Sequence, residues 1–209
     1  MVRRFDRELH PSKRYWLRLP QEDCCQATGT PSSLKYEADG GPGITDIARI
    51  LRGSEKRDQD LDTLLRAQLV FRMLAATDGH AKNFSIRLLP EGRYRLTPLY
   101  DVLSAWPITG PRHDQIHAKK VRLALSLGGE RSRHHKSAEM DRRRFNLTAR
   151  QCGLGPDMEP VIADVVAATP KVIDEVEARL PKDFPVTVFD SITGGLRKAA
   201  RLLAGMPPR

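Results

Sequence analysis

No stretch of this sequence approaches the ~18–20 consecutive apolar residues that a membrane-spanning helix needs. The first residues, Met1-Val2-Arg3-Arg4-Phe5-Asp6-Arg7, carry positive charge, but no apolar segment follows, so they do not read as a signal peptide. Cysteine is scarce. Of three, Cys24 and Cys25 are adjacent, which strains any disulfide between them, and Cys152 is far off in sequence. There is neither a Cys-x-x-Cys pair nor a cysteine–histidine spacing suited to zinc. His134-His135 and His113…His117 read more simply as solvated histidines in a basic stretch than as ligands. These absences set aside a membrane span, a disulfide scaffold and a structural zinc site. The expected location is the cytoplasm.

What is present fits a soluble globular chain. With 209 residues, 40% hydrophobic and 29% charged, the sequence can bury one sizeable core, alone or with a small appendage. The formal charge of +9 is unevenly placed. Between Arg112 and Arg150 stand 11 Lys/Arg against 4 Asp/Glu, which puts +7 of that excess in one segment. Clustering of this kind suits contact with a phosphate backbone, and equally a solubilising surface.

Residues 1–43 show little helical periodicity and end in the turn formers Asp39-Gly40-Gly41-Pro42-Gly43. These glycines, at a helix start, could face an anion, although an ordinary turn and cap is the simpler reading. Ile44, Ile47, Ile50 and Leu51 then recur at helical spacing, with Gly53 placed to follow the helix end. From Asp60 to Ala76 apolar residues surround almost the whole circumference, which predicts a mostly buried helix. Phe84, Ile86 and Leu88 alternate with other residues, Pro90-Glu91-Gly92-Arg93 follows, and Tyr94 and Leu96 alternate again, predicting a hairpin. Val121, Leu123, Leu125 and Leu127 alternate as in a strand, with a helix as the alternative. From Ser137 onward the pattern is helical, with Pro170 expected to kink or divide one helix and Gly194-Gly195 to weaken the last. The expected class is α+β, predominantly α-helical. The expected divisions are an irregular segment over 1–43, a core over 44–110 and a helical part with the basic segment over 111–209.

The residues able to do chemistry gather where the buried helix ends, at Ala76-Thr77-Asp78-Gly79-His80-Ala81-Lys82-Asn83. Asp78 and Asn83 stand in the Asp-x-x-x-x-Asn spacing of a kinase catalytic loop. Phosphoryl transfer needs a carboxylate to take the substrate hydroxyl's proton. Nearby it needs an amide oxygen able to coordinate Mg²⁺ without adding negative charge. A short loop leaving a rigid helix can hold both, and Lys82 between them is placed to meet a phosphate. Beyond the hairpin, Asp101 in Leu99-Tyr100-Asp101-Val102 can fold back as a second metal-binding carboxylate. The same residues also read as a turn after a helix. Asp101 is not followed by Phe-Gly, nor is Asp78 preceded by His-Arg, so spacing alone leaves both readings open.

Several segments together resemble one family. They are Arg4-Phe5-Asp6-Arg7, Leu17-Arg18-Leu19-Pro20-Gln21-Glu22-Asp23, Pro31-Ser32-Ser33-Leu34-Lys35-Tyr36-Glu37, Asp39-Gly40-Gly41-Pro42-Gly43, Ala76 to Ser85, Tyr94-Arg95-Leu96-Thr97-Pro98, and Tyr100-Asp101. In this order, and more faintly through Leu180-Pro181-Lys182-Asp183-Phe184-Pro185, the chain is similar to the HipA-type serine/threonine kinase toxins. The resemblance implies a protein-kinase-like C-terminal lobe with a β-hairpin carrying the metal-binding loop. It implies ATP and Mg²⁺ as cofactors, and phosphorylation of a serine on an aminoacyl-tRNA synthetase. It also implies a small helix-turn-helix antitoxin (HipB-like) as partner, in a complex on operator DNA. Carried over by position, Asp78 is the catalytic base, Asn83 and Asp101 are metal ligands, and His80, Lys82 and Tyr100 are their nucleotide-side neighbours. Arg3, Arg4 and Phe5 form the hinge against adenine, Arg3 standing where an acidic residue is expected. In the basic segment, Arg142, Arg143, Arg144 and Arg150 are the candidates for DNA contact, Arg143 and Arg150 falling seven residues apart on one helix face.

A kinase also uses a glycine-rich loop over the phosphates and a strand lysine that pairs with them. Neither is in this sequence: Asp39 to Gly43 lacks the Lys-Ser/Thr that completes a P-loop. In the family those parts precede the hinge. Isolated, the chain is therefore expected to be inactive or nearly so, because catalysis by positioning loses one wall of the ATP site. The readings are an active half whose upper lobe is encoded separately, a piece of a longer or frameshifted gene, or a non-catalytic module that binds antitoxin or DNA.

Overall fold

The computed structural model describes residues 4–128 and 133–207. Arg3 and Arg131 lie outside the described residues. In chain order the elements are β1 (Arg7–Leu9), β2 (Trp16–Arg18), β3 (Gln21–Asp23), α1 (Cys24–Ala27), α2 (Ile44–Leu51), α3 (Arg57–Leu74), β4 (Ser85–Leu88), β5 (Tyr94–Leu96), β6 (Arg122–Leu127), β7 (His134–Lys136), α4 (Arg142–Cys152), α5 (Glu159–Glu177) and α6 (Val186–Gly205). Among the described residues, helix dominates a mixed fold with three small antiparallel sheets, β1-β2, β3-β4-β5 and β6-β7.

The buried helix expected over 60–76 is α3, which begins at Arg57 and ends at Leu74. Leu61, Leu64, Leu65, Leu69, Phe71 and Met73 of α3 are buried, and they meet Ile47 and Leu51 of α2, Phe84 beside β4, and Leu123 and Leu125 of β6. Truncating one such leucine to alanine costs about 2–5 kcal/mol. Polar side chains on this helix are buried too, and each is tied to another element. Gln68 donates to the Leu125 carbonyl at 2.9 Å, and Arg72 Nε to the Met140 carbonyl at 2.6 Å. Asp60 accepts from Ser54 Oγ and, at 2.8 Å, from the Leu96 amide. Buried polar groups need such partners, and here they fix the sheets around α3.

The hairpin falls where the alternation placed it, pairing Ile86 with Leu96 and Leu88 with Tyr94. What the sequence did not indicate is its third strand. β3, from the irregular N-terminal part, joins the other edge of β4, with Asp23 opposite Ser85. The stretch around Val121–Leu127 is a strand, not a helix.

One expectation about the C-terminal helices needs correction. Pro170 does not divide α5, which runs unbroken from Glu159 to Glu177. Proline lacks the N–H that would bond the Val166 carbonyl, but Pro170 lies on the exposed side, where water can satisfy that oxygen. Gly194-Gly195 lies within a continuous α6. Gly195 is where the helix rests on the Trp106 ring, so a β-carbon there would collide with the indole. Trp106 is itself held by its Nε1 bond to the Met73 carbonyl at 2.8 Å.

Candidate functional site

The loop between α3 and β4 starts with a left-handed residue. Ala75 has φ 52°, and the Ala76 amide returns to the Phe71 carbonyl at 2.8 Å, closing the helix and turning the chain. Gly79 then lies flat on the Phe71 ring, where a β-carbon has no room. A turn over Ala81–Asn83 follows, closed by the bond from the Asn83 amide to the His80 carbonyl at 2.9 Å. Asn83 Oδ1 accepts from the backbone N–H of His80 at 3.0 Å. The loop is therefore tied at both ends and holds Asp78, His80 and Asn83 in place.

Asp101 reaches this loop from beyond the hairpin. Asn83 Nδ2 donates to Asp101 Oδ2 at 3.0 Å. Asp101 has φ 56°, a left-handed conformation that costs a non-glycine residue about 1–3 kcal/mol and recurs at functional sites. His80 is buried, and burial first, with the Lys35 charge next, pushes its pKa down; Asp78 and Asp101 both act in the opposite sense. Both carboxylates thus lie around the same imidazole. His80 Nε2 stands 3.9 Å from Asp78 Oδ1, beyond a hydrogen bond.

Tyr100 anchors the Asp101 segment. Its hydroxyl donates to the Lys82 carbonyl and meets Ser85 Oγ, both at 2.5 Å, and burial pushes its pKa up. The Phe5 ring lies against it, with centroids 5.9 Å apart. Phe5, Tyr100, Asp101, Pro98 and Leu19 line a cleft of about 930 Å³. Arg4, at its edge, is paired with Asp6 at 2.6 and 2.8 Å. That hydrogen bond holds the Asp6 carboxyl at about 2, against the opposing effect of burial.

Lys82 is not free in the loop. Its ammonium lies 2.6 Å from Asp23 Oδ2 at the end of β3, and that hydrogen bond raises its pKa. Two neighbours of the site escaped the sequence reading. Tyr36 donates its hydroxyl to Asp78 Oδ1 at 2.5 Å, and the Lys35 ammonium sits 5.0 Å over the Tyr36 ring. No periodicity or spacing signals a contact between residues 42 positions apart. The Gly40–Gly43 turn packs as a helix cap. Gly43 leaves room for Glu37, and its N–H bonds Asp46, as an ordinary cap.

The four arginines proposed for DNA differ in role. Arg142 ties α4 to its neighbours: it pairs with Glu159 and donates to the Leu203 and Met206 carbonyls at 3.4 and 3.1 Å, with only 14% of its side chain exposed. Arg144 pairs with Asp141 at 2.8 Å. Arg143 and Arg150 are exposed on α4, Arg150 bonding the Pro156 carbonyl at 2.8 Å.

A second cleft, of about 570 Å³, opens between α3, α5 and α6 and is walled by Val70, Met73, Val172, Phe184 and Phe189. The Thr169 and Thr193 hydroxyls on its wall bond back to the Val165 and Phe189 carbonyls. Among the described residues, its only charged lining groups are Arg66 and Asp164 at the rim, 3.8 Å from each other, and the rest of the wall is almost wholly apolar. The Phe5–Tyr100–Asp101 cleft, bordering the Asp78 loop, is the candidate site.

Comparison with known proteins gives the family of the chain. The sequence model of the HipA-like C-terminal domain matches residues 1–173. The chain belongs to the HipA-like C-terminal domain family. Among curated relatives of this HipA-like chain, a Sinorhizobium fredii protein named "Putative kinase Y4mE" is 33% identical over 163 residues, 76% of this chain and 35% of that protein. The serine/threonine-protein kinase toxin HipA of Shewanella oneidensis is 27% identical over 197 residues, 86% of this chain and 41% of the toxin. In structure, the HipA-like domain is similar to a chain in the complex of HipA, HipB and operator DNA from the S. oneidensis toxin–antitoxin system. The TM-score is 0.79 and the identity 20%, over 97% of this chain and 48% of that one. The chain thus spans less than half the length of these relatives. Among the described residues, no helix is long and apolar enough to cross a membrane.

Proposed function

We propose that this chain is the catalytic lobe of a HipA-like serine/threonine kinase, with Asp78 as base and Asn83 and Asp101 as the metal-binding pair. The single observation that carries the reading is the 3.0 Å bond joining Asn83 to Asp101, formed beside the loop that presents Asp78. Asn83 and Asp101 supply a neutral and an anionic oxygen, a donor set suited to a hard cation such as Mg²⁺. Asn83 Oδ1, which accepts from the His80 amide, and the Asp101 carboxylate are the groups that would hold the metal. Bound Mg²⁺ would offset the charge of the ATP phosphates.

The chain's own residues do the rest. A substrate serine Oγ attacks the γ-phosphorus of ATP while the bond to the β,γ-bridging oxygen breaks and ADP leaves. The hydroxyl proton passes to Asp78, whose side chain is 45% exposed and so reachable. The neutral, buried His80 supports the loop between the two carboxylates without adding charge. Phe5 and Tyr100 form an aromatic wall for the adenine side, and Arg4, held by Asp6, keeps the hinge segment in place. Lys82 serves the fold through Asp23.

The upper part of the ATP site, with a glycine-rich loop and lysine, would come from a separate lobe. On the family resemblance drawn from the sequence, the substrate would be a serine on an aminoacyl-tRNA synthetase. A helix-turn-helix antitoxin (HipB-like) would bind the chain, with operator DNA engaged through the complex. The test is phosphoryl transfer from γ-labelled ATP with an upper lobe of a HipA relative supplied by fusion. Transfer lost on Asp78→Asn is expected; equal labelling by wild type and variant overturns the assignment. A second reading, a non-catalytic module that binds antitoxin or DNA, is favoured only by the exposure of Arg143 and Arg150 on α4.

A further inference from the structure

Tyr36 stands in a turn between Pro31 and Gly43 that is not part of any long helix or strand, yet it is firmly held. The next residue, Glu37, is buried and accepts from the Ser126 amide at 2.6 Å and the Ser126 hydroxyl at 2.7 Å. Gly41 and Gly43 let the chain wrap closely around this buried carboxylate and the Leu34 and Tyr36 carbonyls. The Tyr36 ring meets His80 edge-on, with centroids 5.1 Å apart. So the tyrosine is fixed on one side by Glu37 and on the other by the catalytic loop itself. Its hydroxyl ends 2.5 Å from Asp78 Oδ1.

We propose that Tyr36 is a positioning residue for Asp78, its hydroxyl holding Oδ1 so that Oδ2 is the oxygen offered to a substrate hydroxyl. The inference rests on the kinase reading above and deepens it. The direction of the bond is clear. The hydrogen bond to Asp78, with burial adding to it, pushes the Tyr36 phenol up to about 12, so the proton stays on tyrosine and the carboxylate is the acceptor. A carboxylate with one oxygen pinned loses a rotational freedom that a base otherwise gives up at each turnover. Misplacement of a reacting group by about 1 Å can cost ~100-fold in rate. The Lys35 ammonium lies over the same ring, 5.0 Å from its centroid.

Two measurements test this, one independent of turnover. In the first, the full chain is labelled with 3-fluorotyrosine and followed by ¹⁹F NMR through alkaline pH, where the fluorinated phenols titrate under mild conditions. The Tyr36 resonance is identified by its loss in Tyr36→Phe. It should titrate about one pH unit or more higher in wild type than in Asp78→Ala. An unchanged titration would show that the two groups do not share a proton in solution, and the proposal fails.

The second measurement is steady-state kinetics of the chain fused to the upper lobe of a HipA relative. Tyr36→Phe keeps the ring on His80 and removes only the hydroxyl. It should lower kcat by about 10–100-fold with KM for ATP changed less than about twofold, the pattern of an interaction made in the transition state. An equal or faster Tyr36→Phe enzyme overturns the positioning role; a faster one would mean the hydroxyl blocks Asp78. A wild-type fusion that transfers no phosphate overturns the kinase reading, and the role of Tyr36 with it.

Discussion

Asn83 and Asp101, 18 residues apart and on opposite sides of the β4–β5 hairpin, are joined by one hydrogen bond from Nδ2 to Oδ2. Each is held by other means as well. Asn83 closes the turn that follows His80, and Asp101 sits in a left-handed conformation beside the anchored Tyr100. Their meeting therefore results from the fold and not from mutual attraction alone.

Substitution of these groups should separate chemistry from binding. In the fused kinase, Asp78→Asn should abolish transfer while Mg-ATP still binds, because only the proton acceptor is lost. Asp101→Asn should lower nucleotide affinity in the presence of Mg²⁺ and have little effect in its absence. Isothermal titration with and without Mg²⁺ reads both; Asp101→Asn binding Mg-ATP as tightly as wild type would remove Asp101 from the metal site.

Glu37→Ala should be among the more destabilising substitutions in the chain. It leaves the Ser126 amide and hydroxyl without their partner in a buried place. An unsatisfied buried polar group costs about 1–3 kcal/mol. Urea unfolding should show the midpoint falling at constant slope, and a change under about 0.5 kcal/mol would mean water takes over the role.

The Tyr36–Asp78 pair also makes stability depend on pH. The folded phenol titrates at about 12 against an ordinary 10.0. A raised pKa means that the folded state holds the proton more tightly. The pair's contribution is thus fully present below about pH 10 and lost as pH rises through about 12. Denaturant midpoints taken across the alkaline range should fall more steeply for wild type than for Tyr36→Phe; parallel curves would contradict the shift.

The arginines of α4 should divide into two classes. Arg143→Glu with Arg150→Glu should weaken duplex DNA binding at low salt and leave thermal stability nearly unchanged. Arg142→Ala should instead lower stability, since it strips partners from Glu159 and from carbonyls at the end of α6. Anisotropy titrations alongside melting curves separate the two effects. If the wild-type chain binds no DNA, with or without a HipB-like antitoxin, the basic segment is a solvated surface.

Much of the framework could be read from the residues alone. The spacing of Ile44, Ile47 and Leu51, the all-round apolar character of α3 and the alternation through Phe84–Leu88 and Tyr94–Leu96 each correspond to an observed element. So does the loop carrying Asp78 and Asn83, because helix, hairpin and short-loop geometry are set by neighbours a few positions away. Such periods are written into the chain, and burying the matching faces together is the dominant favourable force in folding.

The polar pairings were decided only in three dimensions. Lys82 turned to Asp23 across 59 positions, Tyr36 to Asp78 across 42 and Arg142 to Met206 across 64. β3 joined the hairpin from a segment with no strand alternation of its own, and Pro170 and Gly195 were accommodated within continuous helices. A hydrogen bond or ion pair has no sequence period. Its partner is whichever group the packed core brings within about 3 Å, and a buried donor without one would cost more than the bond returns.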